Sequence, residues 1–219
     1  MADAGAAKLA KEGASESGNR HERRRLRTRA ALIEAAQRVM ARKGFDAATI
    51  ADITDEADVA LGSFYNHFQS KDDIMRVAAF DYMIALADQV DALIAPITDP
   101  AEEQAVAWLT VMERSLNEPN FGWFVARNAM ANDLIETSMR QRLIRDLKKG
   151  VRLKRFEITN VDAVAAAVTG AMLGSITGLL KGDLPRKSIS DIVAVLLAMV
   201  GIPMPEAREI VTRARRLRN

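Results

Sequence analysis

The sequence predicts an all-α protein, on three observations. Apolar residues recur at helical spacing along nearly the whole chain, the period-2 alternation that marks strands is almost absent, and Gly or Pro falls where the helical runs stop. At 219 residues, 49% apolar and 27% charged, the chain has the composition of a globular protein with room for one large or two small units.

The first twenty residues, MADAGAAKLAKEGASESGNR, lack a signal peptide's apolar centre and carry acidic residues unlike a transit peptide, so residues 1–20 read as a disordered arm. A first helix is expected from His21 to Lys43, with Leu26, Ala30, Ile33, Ala36 and Met40 on one face and Gly44 stopping it. Thr49 is placed to cap a short helix, Ile50 to Ala57. A tight turn at Asp58, Val59 and Ala60 leads to a second short helix, Leu61 to Phe68. Ser70, with Asp73 three positions on, opens a long helix that Pro96 ends. Further helices are expected over Ala101 to Leu116, Trp123 to Asn132, Asp133 to about Phe156, Val161 to Lys181 and Ser188 to Val200. The Arg-rich end, 205–219, reads equally as a last helix or a tail.

Charge is segregated although the formal total is only +2. Between Arg20 and Lys43 stand nine basic residues against Glu22 and Glu34. No cysteine occurs, which removes thiolate metal sites and cysteine nucleophiles and fits a reducing compartment. The only histidines are His21 and His67, with no Gly-rich phosphate loop and no metal-ligand spacing, so an enzyme is not expected, nor any cofactor. Ala163 to Leu180 is uncharged, with Gly170, Gly174, Gly178 and Gly182 at four-residue spacing. Such a small-residue ridge packs helices closely in a bilayer or in water. Its shortness, and Thr169, Ser175 and Thr177 within it, favour water over a membrane span.

Helix, three-residue turn and short helix is the shape of a helix-turn-helix. The wording that fills it, RTRAALIEAAQRVMARKGFDAATIADITDEADVALGSFYNHFQSKDDI at residues 27 to 74, resembles the N-terminal domain of the TetR family of transcriptional repressors. The resemblance rests on Ala35-Ala36, Gly44-Phe45, Thr49-Ile50, Ile53, Ala57, the run Gly62 to Phe68, and Ser70-Lys71. It implies a three-helix DNA-binding domain over residues 21–71 and a larger helical ligand-binding and dimerisation domain over 72–204. It also implies a cytoplasmic dimer on a pseudo-palindromic operator in double-stranded DNA, released by a small, largely apolar effector. Departures occur at Asp58, where the family usually has glycine, at Ala60, which removes a Ser or Thr cap, and at Leu61, which replaces a basic residue.

Residue roles follow from chemistry and resemblance together. Arg24, Arg25 and Arg27 form a basic arm for phosphates; Ser63 and Asn66 are short polar readers of base edges, and Leu61 suits a thymine methyl. Tyr65, His67, Thr49 and Lys71 are expected at the DNA backbone, with interior packing as the competing reading for Tyr65. Met83, Trp108, Met112, Phe124, Arg127 and Met130 are the candidate effector-pocket residues. Gly170, Gly174, Gly178, Ile192 and Leu196 are the candidate dimer interface. The rival reading is a helical adaptor without sequence-specific DNA binding.

Overall fold

A computed structural model describes the chain over residues 3–128 and 133–218, and it is all-α among those residues. Side chains are described from residue 20 onward, excepting residues 127 and 128 and 133 to 136. Ten α-helices follow one another. These are α1 (Asp3–Ala47), α2 (Ile50–Glu56), α3 (Leu61–Phe64), α4 (Lys71–Ile94), α5 (Pro100–Asn117), α6 (Pro119–Asn128), α7 (Asp133–Arg152), α8 (Val161–Lys181), α9 (Ile189–Met199) and α10 (Met204–Leu217). Helix α1 reaches back to Asp3, where a loose arm was expected; the alanine-rich wording of residues 4–10 has high intrinsic helix propensity.

Local chemistry sets most boundaries. Gly44, at φ 81°, breaks the helical course of α1 and returns Phe45 to the interior. Thr49 and Asp52 form a capping box at α2, each side chain accepting the other's backbone N–H at 3.1 Å. Asp58 takes the left-handed conformation at φ 52°, which Asp tolerates better than most residues. Helix α3 is shorter than expected: Ala60 supplies no side-chain cap, and beyond Phe64 the chain tightens into a turn in which the Asn66 and His67 amides donate to Ser63 and Phe64. Helix α6 begins earlier than the apolar pattern suggested, because Pro119 is preset for a first helical turn.

The body is built around α5, which packs against α4, α6, α7, α8, α9 and α10. Its Ala105, Leu109 and Met112 are fully buried, as is the Ser115 hydroxyl, which donates to the Val111 carbonyl oxygen. The Arg-rich end is a helix, not a tail. Ala207, Ile210, Val211 and Ala214 of α10 are buried, while Arg215 and Arg218 pair with Glu113 of α5 at 2.9 Å.

Helix α6 lies so close to the end of α5 that a Cβ on Gly122 would run into the Ser115 carbonyl oxygen, with Leu180 of α8 3.1 Å away on the other side. Backbone cannot give way as a side chain can, so Gly122→Ala is expected to destabilise the fold by about 1–3 kcal/mol, the cost of overpacking. Urea unfolding followed by circular dichroism checks this.

Candidate nucleic-acid interface and effector cavity

The helix-turn-helix shows one polar face to solvent. Leu61 and Tyr65 are 53% and 58% exposed, so the interior packing weighed for Tyr65 does not occur. Thr49 and Asn66 are exposed as well, and Ser63 is half-buried beside them. His67 lies near α1: burial pushes its pKa below the ordinary histidine value, and the Arg25 and Arg29 charges push the same way. Its Nδ1 is buried and has no hydrogen-bond partner among the described residues. Arg29 sits 5.0 Å over the Phe68 ring. Lys71 is half-buried; its ammonium donates to the Asp46 carbonyl oxygen at 3.1 Å and lies 6.0 Å over Phe45, bracing the corner after α1.

Among the nine cations between Arg20 and Lys43, two sets separate. Arg38 and Arg42 both bond Glu56, at 2.7 and 2.5 Å, and Lys43 bonds Asp52 at 2.7 Å. These hydrogen bonds, Arg42's before Arg38's on Glu56 and Lys43's before Thr49's on Asp52, hold both carboxyls below their usual range. This cluster clamps α2 onto α1. Toward the other end Arg24 and Arg27 are exposed, and Arg25 makes only a loose 3.8 Å approach to Glu22. Sequence counting could not separate the two sets, because it does not show which carboxylates fold back.

In the body a cavity of about 120 Å³ lies between α4, α5 and α7. Met83, Leu86, Val90, Trp108, Val111 and Leu143 make its apolar wall, and Gln104, Asp91, Arg142 and Asp146 add polar groups. Gln104 is 3% exposed and makes no hydrogen bond to another described residue. The charged residues form a continuous lattice. Arg142 bonds Asp88 at 2.7 Å and Asp91 at 2.5 Å, while Arg145 bonds Asp91 at 3.2 Å and Asp146 at 2.8 Å.

The six candidate pocket residues therefore scatter. Met83 and Trp108 line the cavity, whereas Met112 is fully buried in the core of the same helix. Phe124 instead stacks on Phe45, 6.1 Å between centroids, and lines a separate space of about 290 Å³ with Trp123 and Asn120. The Arg127 side chain and all of Met130 lie outside the described residues. Gln104, Asp91, Arg142 and Asp146 were missed because a search for Met and aromatic residues passes over charges. The signal was the 142, 145, 146 spacing of Arg, Arg and Asp on one face of α7.

The candidate dimer residues also divide. Gly170 and Gly174 face solvent on α8 with open space where a Cβ would stand, flanked by exposed Ala163, Ala166 and Ala167. Ile192 is half-buried on α9, beside Val195 at 49% exposure. Gly178 is half-buried, with Leu184 of its own subunit 3.1 Å from the place of a Cβ, and Leu196, one of the candidates, needs correction because at 1% exposure it lies in the subunit core. Among the described residues α8 is the one helix long and apolar enough to cross a membrane.

Comparison with known proteins adds to this geometry. A family model described as the tetracyclin repressor-like C-terminal domain matches residues 99–213, and one described as bacterial regulatory proteins, tetR family, matches residues 32–78. The structure of RolR in complex with the ligand resorcinol is 30% identical in sequence, with a TM-score of 0.77 over 88% of this chain and 96% of that one. The transcriptional repressor KstR2 of Mycolicibacterium smegmatis is 31% identical over 72 residues, 33% of this chain and 35% of the relative. This chain thus spans about a third of the length of that curated relative. FadR of Bacillus subtilis, solved with stearoyl-CoA, shares the fold at a TM-score of 0.64 and 18% identity, covering 78% of this chain and 97% of that one.

The division of the α1 cations predicts two different phenotypes. Replacing Arg24, Arg25 and Arg27 by Ala is expected to flatten the slope of log affinity for duplex DNA against log salt by roughly 0.9 per phosphate contact removed, with stability kept. Replacing Arg38 and Arg42 by Ala is expected to loosen α2 and lower the melting temperature. Filter binding across a salt series, beside thermal melts, separates the two.

Proposed function

On the premise that this chain belongs to the TetR family of bacterial transcriptional regulators, whose members are not enzymes, we propose that it is a dimeric repressor released from a pseudo-palindromic operator by a small hydroxylated aromatic compound. The proposed division of labour places DNA reading in residues 21–71 and effector binding and dimerisation in 72–204. α10 belongs with the second unit, since it packs on α9 and α5. The proposed site of action is the cytoplasm.

The observation that carries the effector reading is the pairing of a one-ring-sized apolar cavity with an Asp–Arg–Asp lattice along its edge. A phenolic hydroxyl both donates and accepts, so it can insert between a carboxylate and a guanidinium and satisfy each. A carboxylate ligand would meet Asp91 and Asp146 instead. The likeness to resorcinol-bound RolR supports the same class. Trp108 in the cavity wall offers a fluorescence reporter.

For the dimer, the exposed Ala and Gly row on α8 is the supporting surface, since small residues let a second helix approach closely. A two-fold pair then presents two α3 helices to half-sites about one DNA turn, ~34 Å, apart or somewhat more.

Selection of duplexes from a random pool by the purified protein is expected to yield a palindromic consensus that resorcinol releases. A consensus that stays bound at saturating resorcinol removes the effector reading, and enrichment of nothing removes the repressor reading. Asp91→Asn, which keeps the shape of the lattice but weakens its acceptor, is expected to raise the resorcinol Kd about 10- to 100-fold by titration calorimetry, the loss of a hydrogen bond to a charged group. Gly174→Leu is expected to convert the dimer to monomer on a sizing column with helicity unchanged; a persisting dimer would place the interface elsewhere.

A further inference from the structure

Among the side chains that join the DNA-reading unit to the body, Asn120 at the elbow between α5 and α6 supplies a directional bond beside the Phe45–Phe124 stack and the Gln37 bond to the Ala78 carbonyl oxygen of α4. Asn120, in the first turn of α6, donates its Nδ2 to the Ala41 carbonyl oxygen of α1 at 2.6 Å. Its Oδ1 lies 3.3 Å from where a Cβ on Gly44 would stand, so the amide fits against the break in α1. Two spaces flank it. One, of about 290 Å³, runs between Gly44, Phe45, Trp123 and Phe124; the other, of about 270 Å³, between Gln37, Met40, Tyr82 and Phe121. Asn120 lines both, so the joint is loosely packed on either side of this contact.

On its other side α6 is held tightly. Gly122, two residues on, leaves no room for a side chain against Ser115 of α5. The elbow is also gripped by α4. The Tyr82 hydroxyl donates to Glu118 at 2.6 Å and accepts from Arg114 at 2.7 Å, and its ring lies 4.9 Å from Phe121. The next residue, Met83, is in the wall of the effector cavity. Adjacent positions of α4 thus touch the cavity and the elbow, and the elbow touches α1 through the Asn120 hydrogen bond and the Phe124–Phe45 stack.

We infer that Asn120 is the positioning residue that couples the effector cavity to the orientation of the DNA-reading unit, with Tyr82 holding the elbow that carries it. This rests on the proposed effector reading. A displacement of α4 by a ligand at Met83 moves Tyr82, Glu118 and the start of α6 together, and Asn120 passes that movement to α1 through one directional bond. Lying between two sites is not coupling, so the test reads the coupling itself.

Asn120→Asp keeps the shape and removes the donor to Ala41; Tyr82→Phe removes the hydroxyl outside the cavity wall. Both variants are expected to keep their melting temperature and to bind resorcinol within about twofold of the parent. The ratio of operator Kd with resorcinol to that without is expected to fall from at least tenfold in the parent to under about twofold, by fluorescence anisotropy, the decade being the scale of an ordinary coupling. Parental ratios in both variants overturn the inference. A parent whose operator affinity ignores resorcinol instead defeats the effector reading. In that case spin labels at Ala51→Cys, in a chain with no other cysteine, decide the inference: a head-to-head distance distribution broadened by Asn120→Asp supports it, and an unchanged one overturns it. If Asn120→Asp fails to fold, the Tyr82→Phe ratio decides.

Discussion

Burial of α5 on nearly every side sets terms for the rest of the body. A helix ringed by six others has little solvent to take its polar groups, so each polar side chain on it needs an answer from a neighbour. Glu103 is 5% exposed, and Lys149 of α7 reaches in to bond it. Ser115 turns its hydroxyl back onto the carbonyl one turn earlier, which lets α6 cross at glycine distance. Gln104 stands where α4 and α7 part to leave the cavity, whose wall it joins. The cavity and the elbow are thus two consequences of one packing arrangement.

How legible this was in the sequence depended on how local the cause was. Thr49, Ser70 and Asn160 cap helices by bonding backbone amides three residues away, and the helices they open, α2, α4 and α8, begin where the sequence places them. Gly44, at φ 81°, breaks α1 and Gly182, at φ 82°, ends α8 for equally local reasons. Helix α3 was misread because apolar spacing through Phe68 continues past the point where backbone bonding changes from four-residue to three-residue reach. Apart from the adjacent Arg145–Asp146 pair, the cation clamp and the cavity lattice depend on partners 9 to 54 residues apart. At such separations composition reports only that charges exist.

The departures at the recognition element have a common physical sense. Without a cap at Ala60, α3 is a single turn, held by Phe64 in the core rather than by its own hydrogen bonds. Its exposed surface carries Leu61 and Tyr65 and no cation. The cations nearest this face stand on α1, where Arg25 and Arg29 add to the burial that lowers the His67 pKa.

The same separation of charge from shape bears on effector choice. The Asp88–Arg142–Asp91–Arg145–Asp146 chain is already satisfied within the protein, so a ligand must replace lattice bonds rather than fill vacancies. A purely apolar ring gains burial but leaves any lattice bond it breaks unpaired, and an anion adds repulsion from the two carboxylates in the wall, Asp91 and Asp146. A neutral ring with hydroxyls can exchange bonds one for one while burying its apolar face against Trp108 and Met83. The discrimination expected of such a site follows from the cost of leaving the half-buried Asp91, Arg142 and Asp146 unpaired, and it is steeper than a wall of Met and Trp alone would impose.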